Sequence, residues 1–144
     1  MPVIAWMIVI YIASTDLLSA AHTSRFIGPF LRWFVPDISD ATVRTVQVFV
    51  RKGGHLTEYA ILAMLLCRAL RAHFHRFVSI ATIAFVVSAI YAAFDEFHQT
   101  FVSSRTGSPW DVVIDCTGAV IGVVIYRVAH SKMSSRKGPS GTTF

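Results

Sequence analysis

Apolar residues are concentrated in four stretches of the chain, and each stretch predicts a helix. The stretches run from about residues 3 to 18, 54 to 70, 77 to 97 and 110 to 129. A helix needs roughly 20 apolar residues to cross the hydrocarbon core of a bilayer, which is about 30 Å thick. The pattern therefore predicts an all-α, polytopic membrane helical bundle with about four transmembrane helices.

The composition agrees with a membrane protein. Hydrophobic residues make up 54% of the 144 residues and charged residues only 15%, whereas soluble globular proteins contain about 25% charged residues. The length accommodates one transmembrane domain, predicted at residues 1–130, and a basic tail at residues 131–144 that we predict to be disordered. Membrane lipids are the expected partners of such a chain, and no nucleic-acid partner is expected.

A connection of about 35 residues, from 19 to 53, separates the first two apolar stretches. Such a long loop usually has a function or carries its own structure. Asp40 is a candidate N-cap for a short helix whose valines share one face, which predicts an amphipathic helix on the membrane surface. The Gly53-Gly54 pair then permits a break or bend before the next membrane helix.

Basic residues predict the orientation of the bundle. The loop from Arg68 to Arg76 contains three arginines and two histidines, the tail after Ala129 is also basic, and neither segment contains an acidic residue. Short loops rich in Lys and Arg stay in the cytoplasm. Both the N- and the C-terminus are therefore predicted to be cytoplasmic, and the loops before the second and fourth apolar stretches are predicted to lie outside.

With this topology all eight acidic residues lie in the outer half of the protein. Five of them, Glu58, Asp95, Glu96, Asp111 and Asp115, fall within or beside apolar stretches. A carboxylate inside a membrane costs several kcal/mol by most estimates, so such residues usually face a cavity, a partner or a substrate. We therefore predict that these carboxylates form one layer.

Helical spacing directs further polar side chains to this layer and points Asp115 into the bundle. Gly118 and Gly122 continue the stripe of Asp115 at spacings of three and four, and small residues in such a stripe allow a neighbouring helix to approach closely. The predicted polar cluster comprises His55, Glu58, Tyr59, Tyr91, Asp95, Glu96, Gln99, Arg105, Asp111 and Asp115.

Arg105 lies in the polar loop before the fourth apolar stretch, and its guanidinium is suited to hold a phosphate or carboxylate in bidentate fashion. Together with Ser108 and Lys52 it forms a predicted anion-binding group, to which loop amides would contribute. An amphiphilic or lipid-linked head group at the outer membrane–water boundary would fit such a group.

No catalytic residue is assigned from the sequence, because the loop serines lack a fixed base. No metal ligand and no cofactor is assigned either. In an enzyme, Asp95 or Glu96 would act as the general acid or base. His55 would then shuttle a proton or bind a metal with Glu58 and Asp111. The His-x-x-Glu spacing is common on helices, however, and is no metal signature.

The ordered polar residues resemble the VanZ-like membrane protein family. The matching positions are Lys52, Gly53, Gly54, His55, Glu58, Tyr59, Tyr91, Asp95, Glu96, Gln99, Arg105, Ser108, Asp111, Asp115, Gly118 and Gly122. The resemblance implies a bacterial cell-envelope protein, multi-pass in the inner (cytoplasmic) membrane, from a family linked to teicoplanin and glycopeptide resistance. It implies a phenotype rather than a reaction, with a cell-wall precursor or a glycopeptide as an expected partner.

Three functions stay open at this point. The protein binds an amphiphile or a cell-wall precursor at the outer leaflet, or it is a hydrolase or transferase acting on a phosphate-linked lipid head group. The third alternative is an interaction protein whose buried charges only assemble the bundle. The lack of an identifiable nucleophile favours binding, whereas ion pairs that consume every carboxylate would favour the third alternative.

Overall fold

The computed structural model of the chain describes residues 2–15, 20–102 and 107–136, which form five α-helices. These are α1 (Pro2–Ser14), α2 (Ala20–Phe34), α3 (Asp40–Leu70), α4 (Phe77–Gln99) and α5 (Pro109–Arg136). No strand occurs in these residues, so the predicted all-α fold is confirmed. The first six residues of the predicted disordered tail are helical, because no Gly or Pro interrupts α5 before residue 138, and residues 137–144 lie outside the described part.

Within the described residues, two helices have the length and hydropathy to cross a membrane: α4 and the Pro109–Lys132 part of α5. Only 22% of the most apolar stretch of each helix is buried, whereas a core helix of a soluble protein buries most of such a stretch. The helix α1 is apolar but only 13 residues long, and residues 16–18 of its predicted stretch lie outside the described residues. The two long helices indicate a membrane protein, while the total of four crossings and the orientation stay predictions.

The second predicted membrane helix is the C-terminal half of a longer one, because α3 is continuous over 31 residues. Gly53 and Gly54, which permit a break or bend, lie inside this helix. Neither glycine has a positive φ, and a Cβ added to either would meet nothing within 4 Å, so neither backbone strain nor packing requires a bend. The N-cap is Ser39 rather than Asp40, since the Ser39 hydroxyl accepts a hydrogen bond of 3.2 Å from a first-turn amide.

Most of the predicted loop at residues 19–53 is helical, since α2 occupies its first half and α3 begins at residue 40. The two helices form a hairpin in which Gly28 lies beside Val43 and Arg32 forms an ion pair with Asp40. This α2–α3 hairpin uses the N-terminal part of α3, which precedes the contact of α5 with Arg51 and Lys52. The long connection therefore carries its own structure, as its length predicts.

The helices α3 and α5 run parallel and share the most extensive helix contact in the protein. Gly118 lies against the backbone of Leu56, and Gly122 lies against the backbone of Ala60. A Cβ added to Gly122 would be 2.8 Å from the Ala60 carbonyl carbon, closer than real Cβ atoms come to other atoms. The glycine stripe therefore brings two helix backbones together, as the sequence predicts.

The buried apolar core lies near the turn that joins α3 to α4. It includes Leu62 and Leu66 of α3 and Ile80 and Ala84 of α4. Most of the buried polar side chains lie toward the other end of the same helices. The helix α1 packs across α3 and α4 and partly covers that polar end.

Candidate functional site

A layer of buried polar side chains occupies the place where α3, α4 and α5 meet, away from the apolar core. Its buried members are His55, Tyr59, Asp95, Glu96, Gln99, Asp111 and Asp115. Glu58 and Tyr91 are half-buried, and Arg105 lies outside the described residues. The structure thus places seven of the ten residues of the predicted polar cluster in the interior.

The outer rim of the polar cluster is held by ion pairs to Asp111. The Lys52 ammonium lies 2.8 Å from Asp111 Oδ1, and the Arg51 guanidinium lies 3.6 Å from Asp111 Oδ2. Arg51 also donates a hydrogen bond of 3.3 Å to Gln99 Oε1. One carboxylate therefore binds two cations and ties the start of α5 to the middle of α3.

Arg51 is a site residue that the predicted cluster omitted. The sequence does carry a signal for it, because Arg51 lies one turn before His55 and next to Lys52. The predicted cluster was chosen from the face that His55 shares with Glu58 and Tyr59, and Arg51 was left out of it.

The Arg51 guanidinium reaches Gln99 on α4 and Asp111 on α5. The third alternative, in which intramembrane acids are locked to Arg51, Lys52 and Arg105, predicts ion pairs of this kind.

A second pair joins α3 to α5 one turn deeper. His55 Nδ1 lies 3.2 Å from Asp115 Oδ1, and the two side chains are 8% and 0% exposed. The parallel register that places Gly118 against Leu56 also places Asp115 beside His55. The close approach at the glycine stripe therefore sets the geometry of this pair, and Asp115 faces into the bundle as the stripe predicts.

Glu96 connects α4 to the beginning of α5. Its Oε2 accepts a hydrogen bond of 2.8 Å from the backbone amide of Ser108. A Cβ at Gly107 would lie 2.6 Å from the Glu96 carbonyl oxygen, so the glycine lets the chain pass close to α4 at this point. Ser108, predicted to bind an anion, uses its amide here on a protein carboxylate.

Asp95 has a partner within its own helix, since Gln99 Nε2 donates a hydrogen bond of 3.1 Å to Asp95 Oδ2. The same nitrogen lies 3.5 Å from the hydroxyl of Ser14 at the end of α1. The amide of Gln99 thus bridges Asp95, Ser14 and Arg51. Such a bridge fixes one orientation of the Gln99 amide, with its oxygen toward Arg51.

Two of the predicted residues help to hold α1 in place. The Tyr91 hydroxyl donates a hydrogen bond of 2.7 Å to the carbonyl of Met7, and the Trp6 indole donates one of 2.9 Å to the backbone carbonyl of Glu58. Tyr91 therefore directs its hydroxyl to the α1 backbone rather than to the carboxylates. These contacts position α1 over the polar cluster.

Several buried polar atoms of the cluster have no hydrogen-bond partner among the described residues. They include Glu96 Oε1, Asp115 Oδ2 and the hydroxyl of Tyr59. A buried polar atom without a partner costs about 1–3 kcal/mol. Each of these atoms is therefore able to accept a further hydrogen bond or to bind a ligand. One nitrogen of His55, one oxygen of Glu96 and one oxygen of Asp115 lie within 4.8 Å of one another.

This cluster lies inside a region that matches a known family. A family model described as VanZ/LLP1 matches residues 1–130, which include every residue of the polar cluster. No curated protein and no solved structure matches the chain. The match covers most of the chain and agrees with the resemblance that the ordered polar residues carry. The chain therefore belongs to the VanZ/LLP1 family.

Proposed function

We propose that the protein acts in the bacterial cell envelope by binding the anionic head group of an amphiphile or lipid-linked precursor at the outer membrane–water boundary. In this proposal, binding changes how a glycopeptide such as teicoplanin reaches its target, which links the protein to the resistance associated with the VanZ-like family. The inner membrane is the proposed location, and both termini are proposed to be cytoplasmic.

The observation that carries the proposal is the group formed by Arg51, Lys52 and Asp111. One carboxylate holds two cations, so the group retains a net positive charge of about one unit at neutral pH. The side chains of Arg51 and Lys52 are 29% and 41% exposed, which leaves both accessible to a ligand. Cations held in place by a shared carboxylate lose less conformational freedom when they bind a phosphate.

Exposed aromatic rings at the same end of the bundle support a location at the boundary. Phe97 and Phe101 follow Glu96 along the chain, and Trp110 precedes Asp111; the three rings are 62%, 72% and 75% exposed. Aromatic side chains of this kind are enriched at the interface between lipid and water. The cationic rim would then lie at the depth of lipid head groups, with Arg105 of the adjacent loop as a further proposed ligand.

The binding test compares two lipids that differ only in charge. Purified full-length protein in detergent is titrated with a polyprenyl phosphate and with the uncharged polyprenol of the same length. We expect Lys52→Gln to weaken phosphate binding by about tenfold, or about 1.4 kcal/mol. The control is Lys132→Gln, since Lys132 is an exposed lysine at the far end of α5.

The result also separates the three functions. Equal binding of both lipids would contradict the head-group proposal, and sustained release of phosphate would replace binding by a hydrolase or transferase. In cells, Glu96→Gln and Arg105→Ala proteins are expected to accumulate normally and to lose protection against teicoplanin. Loss of accumulation would instead favour buried charges that only assemble the bundle.

A further inference from the structure

We propose that His55, Glu96 and Asp115 bind one divalent transition-metal ion, of the class of Zn²⁺ or Mn²⁺, where α3, α4 and α5 meet. The proposal concerns a different group of atoms from the cationic rim at Asp111 and does not depend on lipid binding. It rests on the distances between the three side chains, on two carboxylate oxygens without partners, and on the charges around them.

The distances suit a common ion. One donor atom from each of the three side chains lies within 4.8 Å of the other two, and His55 Nδ1 and Asp115 Oδ1 are 3.2 Å apart. Two donors bound tetrahedrally to Zn²⁺, at about 2.0–2.1 Å each, are roughly 3.3 Å apart. The His55–Asp115 pair therefore has the separation of two ligands of one ion, and the Glu96 donor atom lies within 4.8 Å of both.

The unpartnered oxygens are the independent sign of a ligand. Glu96 and Asp115 are only 4% and 0% exposed, and Glu96 Oε1 and Asp115 Oδ2 have no hydrogen-bond partner among the described residues. The other oxygen of Glu96 is bound by the Ser108 amide. The other oxygen of Asp115 faces His55 Nδ1, and the ion would replace the hydrogen bond between these two atoms. A carboxylate that is oriented by one hydrogen bond and has its other oxygen free is the usual arrangement around a protein-bound metal.

The nearby charges also favour a cation. In the described part of the chain the lysine and arginine closest to the cluster, Lys52 and Arg51, make their ion pairs with Asp111 and not with Glu96 or Asp115. Two buried carboxylates without a cation are costly, and a divalent ion would neutralise both. The only ion-pair partner that Asp115 has in the described residues is His55, whose imidazole is itself a common metal ligand.

The donor set restricts the kind of metal. One imidazole nitrogen with two carboxylate oxygens suits Zn²⁺ and Mn²⁺ better than Ca²⁺ and Mg²⁺, which prefer oxygen ligands alone. Three protein ligands leave at least one coordination position for water or for an oxygen of a bound anion. The set differs from the one weighed from the sequence, in which His55 was joined by Glu58 and Asp111.

The test uses full-length protein without a polyhistidine tag, purified in detergent, stripped with a chelator and dialysed separately against Zn²⁺ and Mn²⁺. Metal content measured by mass spectrometry is expected to reach one ion per chain. Glu96→Gln and Asp115→Asn should each weaken binding by at least about 100-fold. Both replacements keep an oxygen that accepts the existing hydrogen bond, so both proteins are expected to fold.

Matched controls exclude other ligands of the same type. Asp37→Asn changes an exposed carboxylate in the turn before α3, and His73→Asn changes an exposed histidine in the turn after α3, so both should bind the metal as the unaltered protein does. Replacing the free cysteines Cys67 and Cys116 by alanine should also leave binding unchanged. The proposal is overturned if no ion binds, or if Asp115→Asn binds as tightly as the Asp37→Asn control.

Discussion

Replacing Gly122 by alanine should destabilise the protein because α3 leaves no room for a methyl group at this position. The new Cβ would lie 2.8 Å from the carbonyl carbon and 2.9 Å from the Cα of Ala60, and both atoms belong to the backbone. Reaching an ordinary contact of 3.4 Å requires the two helices to separate by at least about 0.6 Å. Overpacking of this kind costs about 1–3 kcal/mol.

Alanine also favours the helix over glycine, by about 0.5–1 kcal/mol, so the net loss expected for Gly122→Ala is up to about 2.5 kcal/mol. Gly118→Ala should behave alike, since its Cβ would lie 3.0 Å from the carbonyl carbon of Leu56. The free energy of unfolding in mixed micelles of increasing denaturing-detergent content measures both changes. Gly53→Ala is the matched control, because its Cβ meets nothing within 4 Å and only the gain in helix propensity remains.

Gly118→Ala and Gly122→Ala should therefore lower the free energy of unfolding, whereas Gly53→Ala should raise it. If Gly122→Ala were as stable as Gly53→Ala, the close packing of α3 against α5 would be refuted. The same separation of helices should lengthen the contact between His55 and Asp115, which starts at 3.2 Å. A loss of metal binding in Gly118→Ala without loss of folding would connect the glycine stripe to the site.

Two further predictions concern the rim and the topology. Asp111→Asn leaves Lys52 without its anionic partner and should cost about 1–2 kcal/mol, measured by the same unfolding titration; an unchanged stability would show that the ion pair makes no net contribution. A cysteine introduced at Ser104, in a background without Cys67 and Cys116, should react with a membrane-impermeant thiol reagent added to intact cells. Reaction only after the cells are broken would reverse the predicted orientation.

The sequence predicts the helices best where apolar residues dominate a long stretch. The stretches 77–97 and 110–129 correspond to α4 and α5, because a stretch of about twenty mostly apolar residues leaves few alternatives to a helix. The predicted helix at 54–70 begins too late, because α3 begins at Asp40 and passes through Gly53 and Gly54. Glycine permits a bend without requiring one, so the sequence alone does not decide between a bend and a continuous helix.

The members of the site were easier to predict than their pairing. Helical spacing shows which residues share a face of one helix, and it placed His55 and Asp115 on inward faces, whereas Glu96 was included as an acidic residue of an apolar stretch. Spacing within a helix does not give the register between helices, which here depends on the contact of the glycine stripe with α3. For that reason the sequence grouped His55 with Glu58 and Asp111, while the structure groups it with Glu96 and Asp115.

Because α3 is continuous, its N-terminal half and the segment that carries His55 form one helix. At 1.5 Å per residue, its first residue, Asp40, is about 22 Å from His55, and no joint lies between them. The N-terminal part of α3 packs against α2. The exposed rings of α2 at Phe26, Phe30 and Trp33 are suited to lie in the lipid interface. The contacts of α2 are therefore connected to the contact between His55 and Asp115 through one uninterrupted helix.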